Sequence, residues 1–379
     1  MDLNEIREKI NLTDDQIKAL YLKRMELVKE VAEYKKQSGK AVNDPNREKK
    51  ILLRITEGES EEMQIYLKRV FDTLFETSKA YQALNTINSS PTIDKIRAIL
   101  ERGEKEFPAR ARVACQGVEG AYSGIATDRL FELADISYFK SFDAVFNAVE
   151  RGFCKYGVLP IENSYAGSVN QVYDLMKEHK FYIVRSIRLP INHCLVAKQG
   201  TKIEDIKEVF SHEQAISQCR KYLEKFPNAT VTVCANTAVG ARLIAESDRT
   251  DICAIASKES AERYGLKVLE HGIQDVGGNY TRFILITKDL EIYKGAKKIS
   301  IMTTLSHTPG SLNKLLSKFS NVGINLTKLE SRPITGSNFE FMFYFDFECD
   351  ISKKAPQSLL AELDLSAEQF TFLGAYDEQ

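Results

Sequence analysis

From residue 3 to about residue 38 the chain holds neither proline nor glycine, and apolar residues return at helical spacing: Ile6, Ile10, Ile17, Leu20, Leu27 and Val31. That period predicts one long helix, stopped by Gly39. Asp44-Pro45 opens a second helix, with Asp44 as N-cap and Pro45 in the first turn. A third runs from about Glu61 to Leu84. Thr86-Ile87-Asn88-Ser89-Ser90-Pro91 reads as a break, followed by a short helix near Ile93–Arg102. From Arg112 the period changes, and short apolar runs alternate with helical stretches, as in an α/β domain. Strands are expected at Val113–Cys115, Gly157–Pro160, Tyr182–Arg185, Glu208–Phe210, Thr230–Cys234, Ile252–Ala256 and Arg282–Ile286. The last eighty residues read as strand (Lys297–Thr304), helix (Pro309-Gly310-Ser311-Leu312 to Phe319), strand (Gly323–Pro333), strand (Phe339–Phe347), helix (Pro356–Leu363) and strand (Phe370–Leu373). That is the βαββαβ order of a ferredoxin-like module. The domains expected are therefore 1–88 (helical), 89–110 (linker), 111–288 (α/β) and 297–376 (α+β).

Composition narrows the function classes. A chain of 379 residues that is 43% hydrophobic and 28% charged is an ordinary globular protein of two or three domains. A formal net charge of −1 gives no reason to expect nucleic acid or a membrane surface as partner. The seven cysteines contain no Cys-x-x-Cys pair and sit in apolar surroundings, as reduced core thiols of a cytoplasmic protein would. The five histidines have no metal-ligand spacing, so no metal and no cofactor is expected. No apolar run reaches membrane-spanning length, and the first residues contain no apolar signal region.

Within the helical segment, Arg24, Val28, Val31 and Lys35 fall on one face, two cations around an apolar floor about 16 Å long. Such a trough suits a small dianion with a hydrophobic ring, although lysine and arginine on a helix are more often a solvated face. Arg47 beside Glu48, and Ser78 four residues before Gln82, offer further polar contacts. Leu3-x-x-Ile6-Arg7-Glu8-Lys9-Ile10, Arg24-x-Glu26-Leu27, Lys35, Asp44-x-x-Arg47-Glu48 and Ser78-x-x-x-Gln82 together resemble the all-helical chorismate mutase domain. The resemblance implies rearrangement of chorismate to prephenate. It assigns Arg7, Arg24 and Arg47 to carboxylates, Lys35 and Gln82 to the ether oxygen, Glu48 to the ring hydroxyl, and Asp44 and Ser78 to support. A Claisen rearrangement needs a folded reactive conformer and donors where charge develops, with no nucleophile, which agrees with these residue types. On a straight helix Arg7 lies about 42 Å from Lys35, so Arg7 serves only a partner chain's pocket, in an interlocked dimer.

In the α/β segment several strand ends run into small polar residues: Gly120-Ala121-Tyr122-Ser123, Ile161-Glu162-Asn163-Ser164, Ser211-His212-Glu213-Gln214 and Asn236-Thr237-Ala238. Each alone is an ordinary helix cap. Four together, with Thr281-Arg282, point to an anion-binding cleft. The order of strands predicts two lobes, about 110–187 with 281–287 and about 191–270, joined near Leu189-Pro190 and Gly277-Gly278. Gly117-x-x-Gly120-x-Tyr122-Ser123, Pro160-Ile161-Glu162-Asn163-Ser164, Gly167-Ser168-Val169, Ser211-His212-x-Gln214-Ala215, Gln218-Cys219, Asn236-Thr237-Ala238 and Asn279-Tyr280-Thr281-Arg282-Phe283-Ile284 resemble the prephenate dehydratase domain, a two-lobed fold like that of periplasmic binding proteins. Val118, Ala121 and Glu213 depart from the family pattern without removing a hydroxyl or cation. The resemblance implies loss of carbon dioxide and the ring hydroxyl from prephenate, giving phenylpyruvate. Thr281 is the candidate catalytic donor and Arg282 the carboxylate partner. Tyr122, Ser123, Asn163, Ser164, Asn236 and Thr237 are the remaining polar contacts, with Phe283 against the ring or in the strand core. Glu162 and His212 are alternative acids by residue type.

Pro309-Gly310-Ser311-Leu312-Asn313 and Glu330-Ser331-Arg332-Pro333 resemble the phenylalanine-binding ACT domain, with Ser311 and Asn313 departing from its usual Gly-Ala-Leu-Val run. Taken alone, the pattern equally fits a dimerisation module. The whole chain resembles the bifunctional chorismate mutase/prephenate dehydratases with a C-terminal ACT domain. The implied partners are chorismate, prephenate, the effector L-phenylalanine and further copies of the chain, as a homodimer or higher oligomer. Two other readings compete: a dehydratase whose helices only dimerise, and a non-catalytic amino-acid sensor.

Overall fold

The computed structural model describes residues 2–38, 44–86, 89–103, 105–305, 307–308, 310–334 and 341–379. Gly39, Ile87, Asn88, Pro309 and the first two residues of the strand expected at 339–347 lie outside them. The chain forms two compact units, Met1–Gly103 with Ile299–Phe372 and Glu104–Lys298 with Leu373–Gln379.

The first unit begins with α1 (Leu3–Ser38), α2 (Pro45–Thr56), α3 (Glu61–Thr86) and α4 (Pro91–Leu100). The side chain of Asp44 caps α2 by accepting from Arg47 N at 3.1 Å, and Ser90 caps α4 by accepting from Ile93 N at 3.3 Å. Both α1 and α2 pack on α3. The apolar stripe that marks α1 is not buried within the chain. Ile6, Ile10, Ile17, Leu20, Leu27 and Val31 are 39–68% exposed, and the residues of α1 turned inward are Val28 and Ala32.

The second unit holds β1 (Arg110–Gln116), α5 (Tyr122–Leu130), β2 (Leu133–Phe139), α6 (Phe142–Glu150), β3 (Tyr156–Asn163), β4 (Gly167–Ser168), α7 (Asn170–His179) and β5 (Tyr182–Pro190). There follow β6 (Cys194–Ala197), β7 (Glu208–Ser211), α8 (Glu213–Gln218), α9 (Arg220–Leu223), β8 (Thr230–Val233), α10 (Thr237–Glu246), β9 (Ile252–Ala256), α11 (Lys258–Arg263), β10 (Lys267–His271) and β11 (Tyr280–Thr287). The first lobe is a sheet in the order β5-β11-β3-β1-β2, and the second is β10-β6-β9-β7-β8. Each has its own core, one around Val113, Tyr156, Val158 and Leu285, the other around Leu195, Val209, Cys253 and Ile255. Two chain crossings join the lobes and bond to each other, Ile191 N donating to Asn279 O at 2.8 Å and Ile273 N to His193 O at 3.0 Å. All seven cysteines are free thiols, six of them buried.

The chain then returns to the first unit with β12 (Lys298–Thr304), α12 (Ser311–Asn321), β13 (Asn325–Pro333), β14 (Phe341–Glu348), α13 (Lys354–Ser366) and β15 (Phe370–Glu378). Here α12 and α13 pack on α3, and α13 also on α4, where Arg97 Nε donates to Gln357 Oε1 at 2.8 Å. From Leu373 onward β15 belongs to the second unit. There Asp377 and Glu378 pair in parallel with Arg185 and Ser186 of β5. Gly374 makes the approach possible, because at its φ of 146° a Cβ would overlap the Ile183 carbonyl.

Candidate active sites

Strand β11 lies between β3 and β5 and is antiparallel to both. Its register sets Thr281 opposite Asn163 and Arg282 opposite Glu162. Side chains alternate along a strand, so these two pairs occupy opposite faces of the sheet. On the first face Asn163 Nδ2 donates to Thr281 Oγ1 at 2.9 Å and to Asn279 Oδ1 at 2.8 Å. Asn279 Nδ2 donates to Gln218 Oε1 at 3.0 Å, and His193 Nε2 lies 2.9 Å from the same oxygen. Gln218 ends α8 of the second lobe, so this polar chain spans both lobes. Burial pulls the pKa of His193 below its ordinary value, against the pull of Gln218.

On the opposite face Arg282 is buried and engaged within the protein. Its Nε lies 2.8 Å from Glu378 Oε2 of β15, and its Nη2 donates to Tyr376 Oη at 2.7 Å. Glu378 also meets Lys298 at 2.5 Å, Arg188 at 2.8 Å and Ser186 Oγ at 2.9 Å. The expectation that Arg282 holds a substrate carboxylate is thus corrected: strand alternation turns it away from Thr281, onto an internal carboxylate. Phe283 is likewise 3% exposed and packed in the first-lobe core, so it begins the strand core and does not face a ring in the cleft.

The other expected contacts stand at strand ends, with their side chains bonded to nearby main chain. Ser123 Oγ donates to Gln116 O at 2.6 Å. Ser164 Oγ accepts from Tyr280 N at 2.9 Å. Asn236 Oδ1 caps α10 by accepting from Val239 N at 2.8 Å, with Thr237 half-buried beside it. Tyr122 Oη donates to Asn192 O at 3.1 Å, and burial raises its pKa far above the ordinary phenol value. His212 Nδ1 accepts from Gln214 N at 3.3 Å as the cap of α8. Glu162 lies 3.8 Å from Arg282, on the face away from Thr281.

In the helical part, Arg24 of α1 donates from Nη1 to Leu74 O at 3.2 Å and to Ser78 Oγ. Burial lowers the Arg24 pKa from its ordinary value. Ser78 and Gln82 are both buried one turn apart on α3. Lys35 is half-buried on α1, while Arg7, Asp44 and Arg47 are exposed. Glu48 is engaged by Lys79 at 3.3 Å, which also meets Glu76 at 2.6 Å. One chain therefore gathers Arg24, Ser78 and Gln82, and leaves Arg7 far along α1.

Two family models match. "Chorismate mutase type II" covers residues 6–83 and "Prephenate dehydratase" residues 113–291. The bifunctional chorismate mutase/prephenate dehydratase of Escherichia coli (strain K12) is 32% identical over 384 residues, covering 99% of this chain and 96% of that one. The chain belongs to the bifunctional chorismate mutase/prephenate dehydratase family. An arogenate dehydratase/prephenate dehydratase of Arabidopsis thaliana is 38% identical over 71% of this chain and 73% of its own. A crystal structure of prephenate dehydratase with L-Phe from Arthrobacter aurescens has a TM-score of 0.64, at 29% identity, over 70% of this chain and 89% of that one.

Sequence reasoning missed His193 and the part played by Asn279 in this bifunctional chain. Asn279 was recoverable, because period-two alternation sets it on the same face as Thr281. Nothing local marks His193, whose partner Gln218 comes from another element. In the C-terminal module Ser311 and Leu312 line a cavity of about 350 Å³ with Leu305, His307, Thr308, Phe341 and Phe343. Gly310, at φ 84°, precedes α12, Asn313 lies in its first turn, and Glu330-Ser331-Arg332-Pro333 ends β13. Among the described residues no helix is long and apolar enough to cross a membrane.

Proposed function

We propose that this chain converts chorismate to prephenate in its helical module and prephenate to phenylpyruvate in its two-lobed module. The observation that carries this is the match along nearly the whole chain to a relative named for both activities. The mutase step is a matter of clamping and charge. Arg24, held by Ser78, faces a carboxylate, and Lys35 and Gln82 stabilise charge on the ether oxygen as the bond breaks. In the dehydratase step the ring carboxylate leaves as carbon dioxide and its electron pair enters the ring. The ring carbon–hydroxyl bond breaks, and the hydroxyl takes a proton to leave as water. Thr281 donates to that hydroxyl, and solvent restores the proton. Some relatives are named for arogenate, but a mutase module on the same chain makes prephenate the substrate supplied here.

The C-terminal βαββαβ module is read as an ACT domain that binds phenylalanine near Gly310–Asn313 and Glu330–Pro333. Support comes from the cavity beside Ser311 and Leu312 and from the L-Phe named in the Arthrobacter complex. Phenylalanine then favours a state with a poorer prephenate site, and linkage makes the effect reciprocal. The test follows chorismate, prephenate and phenylpyruvate separately, with and without phenylalanine. Chorismate flowing to phenylpyruvate, with the second step suppressed by phenylalanine, is expected. Prephenate turnover without chorismate loss would leave the helices as a dimeriser. Saturable phenylalanine binding without turnover of either would make the protein a sensor.

The exposed apolar stripe of α1 is wider than an isolated chain leaves to water, and a second copy is the cover we assign to it. With α1 continuous over 36 residues, Arg7 then completes the partner's pocket. Arg7→Ala and Lys35→Ala proteins are each expected to lose mutase activity. Mixed after unfolding and refolding, they recover roughly a quarter of wild-type activity, since about half the dimers are hybrids with one intact site of two. No recovery on mixing would sink the interlocked arrangement.

A further inference from the structure

Hydrogen-bond direction around Asn163 is settled by main-chain groups that have only one polarity. On one side Tyr165 N and Ala166 N meet its Oδ1 at 3.0 and 2.9 Å, and amide N–H groups can only donate. On the other side its Nδ2 meets Tyr280 O at 3.2 Å, and a carbonyl can only accept. The Asn163 amide therefore cannot be turned over. Its nitrogen must face Thr281, and at 2.9 Å Thr281 Oγ1 is the acceptor of that bond. The hydroxyl proton of Thr281 is left to point elsewhere, and among the described residues no protein acceptor takes it.

We propose that Asn163 is a positioning residue, not a substrate clamp: it occupies a lone pair of Thr281 Oγ1 and so presents the Thr281 proton to the cleft. This rests on the reading of Thr281 as the donor to the leaving hydroxyl. The two N–H groups of Asn163 are shared among Thr281 Oγ1, Tyr280 O and Asn279 Oδ1, and the last of these carries the same polarity outward. Asn279 Oδ1 accepts at 2.8 Å, and Asn279 Nδ2 then donates to Gln218 Oε1 at 3.0 Å. That oxygen accepts from His193 as well, which assigns the histidine proton to Nε2. Because Gln218 and Gln214 come from the second lobe, the amides that orient Thr281 are held from both lobes; Gln214 Nε2 lies 3.4 Å from Asn163 Oδ1.

Asn163→Asp reverses the polarity at one atom. A carboxylate still accepts from residues 165 and 166, but toward Thr281 it also accepts, and it draws the hydroxyl proton inward. The expected result is a roughly 100-fold loss of kcat for prephenate at about pH 8, with KM changed by less than about threefold. Activity relative to wild type should recover toward about pH 5 as the new carboxyl protonates and donates again. Asn163→Ala removes donor and carboxyl together, so its loss should show no such recovery. Asn279→Asp keeps an acceptor facing Asn163 and should lose roughly tenfold less than Asn163→Asp. Wild-type kcat in Asn163→Asp, a loss in that variant independent of pH, or equal losses at 163 and 279 would overturn the proposal. Thr281→Ala separates the two readings. Full activity there removes Thr281 as the donor, whereas an inactive Thr281→Ala beside a fully active Asn163→Asp removes only the positioning role.

Discussion

Replacing Thr281 by alanine should lower kcat for prephenate by roughly 10²- to 10⁴-fold while chorismate turnover stays at the wild-type rate. The range is what one positioned proton donor contributes to a rate. The two activities separate because Thr281 lies in the two-lobed unit, and Arg24, Ser78 and Gln82 lie in the other. KM should change little, since the role proposed for this hydroxyl acts on a bond that breaks only in the transition state. Thr281→Ser keeps the oxygen that Asn163 bonds and should retain most of the activity; its loss of rotamer restraint costs a modest factor. Steady-state kinetics on both substrates decide the matter. An alanine variant with undiminished dehydratase activity would return the acid to Glu162 or His212.

Loss of the Glu378 carboxylate should be the most destabilising single change in the two-lobed unit. Three cations converge on it, and the side chains of two, Arg282 and Lys298, are 6% and 4% exposed. Removing one partner from a buried charge cluster leaves uncompensated charge, at a cost of about 3–5 kcal/mol. Glu378→Ala should therefore lower the denaturant midpoint of this unit and its dehydratase activity together. Arg282 moves when its partner goes, and Thr281 is the next residue on the same strand. The pH dependence has a definite sign. Burial alone would raise the Glu378 pKa, but the bond from Lys298 and the charges of Arg282 and Lys298 lower it overall. A carboxylate whose folded pKa is depressed contributes stability above its unfolded pKa, about 4.3, and loses it as pH falls through the lower folded value. Wild-type stability should thus fall on acidification through that window more steeply than that of Glu378→Ala. Parallel curves for the two proteins would show that the cluster contributes nothing net.

Local signals carried much of the architecture. The absence of proline and glycine marked α1, and Asp44-Pro45 marked the start of α2. Long apolar runs marked β3 and β11 at the centre of their sheet, where both faces are covered. Strands β2, β4, β6 and β10 escaped, β4 being only the pair Gly167–Ser168. β2 reads Leu-Ala-Asp-Ile-Ser-Tyr-Phe, an edge strand whose polar residues blur the run. β6 has four residues, too few to show a period, and β10 is an edge strand with three polar residues of five. At the active site the limit was distance along the chain. The polar pentad located Thr281 and Arg282 together, but sheet alternation divides them, and Arg282 finds Glu378 only through the pairing of β15 with β5. Periodicity also drew the apolar stripe of α1 without saying what covers it, because a helix face has the same pattern against its own chain or another.

The position of β11 also orders the assembly of the protein in time. The second lobe is contiguous in the chain, from β6 to just past β10, and its core is complete once Ile273 has been made. The first lobe begins to be synthesised earlier, yet its sheet has no link between β3 and β5 until β11 emerges. Synthesis from the N-terminus therefore delivers a finished second lobe beside an open-edged first one, and the strand that closes the sheet is the strand that brings Thr281.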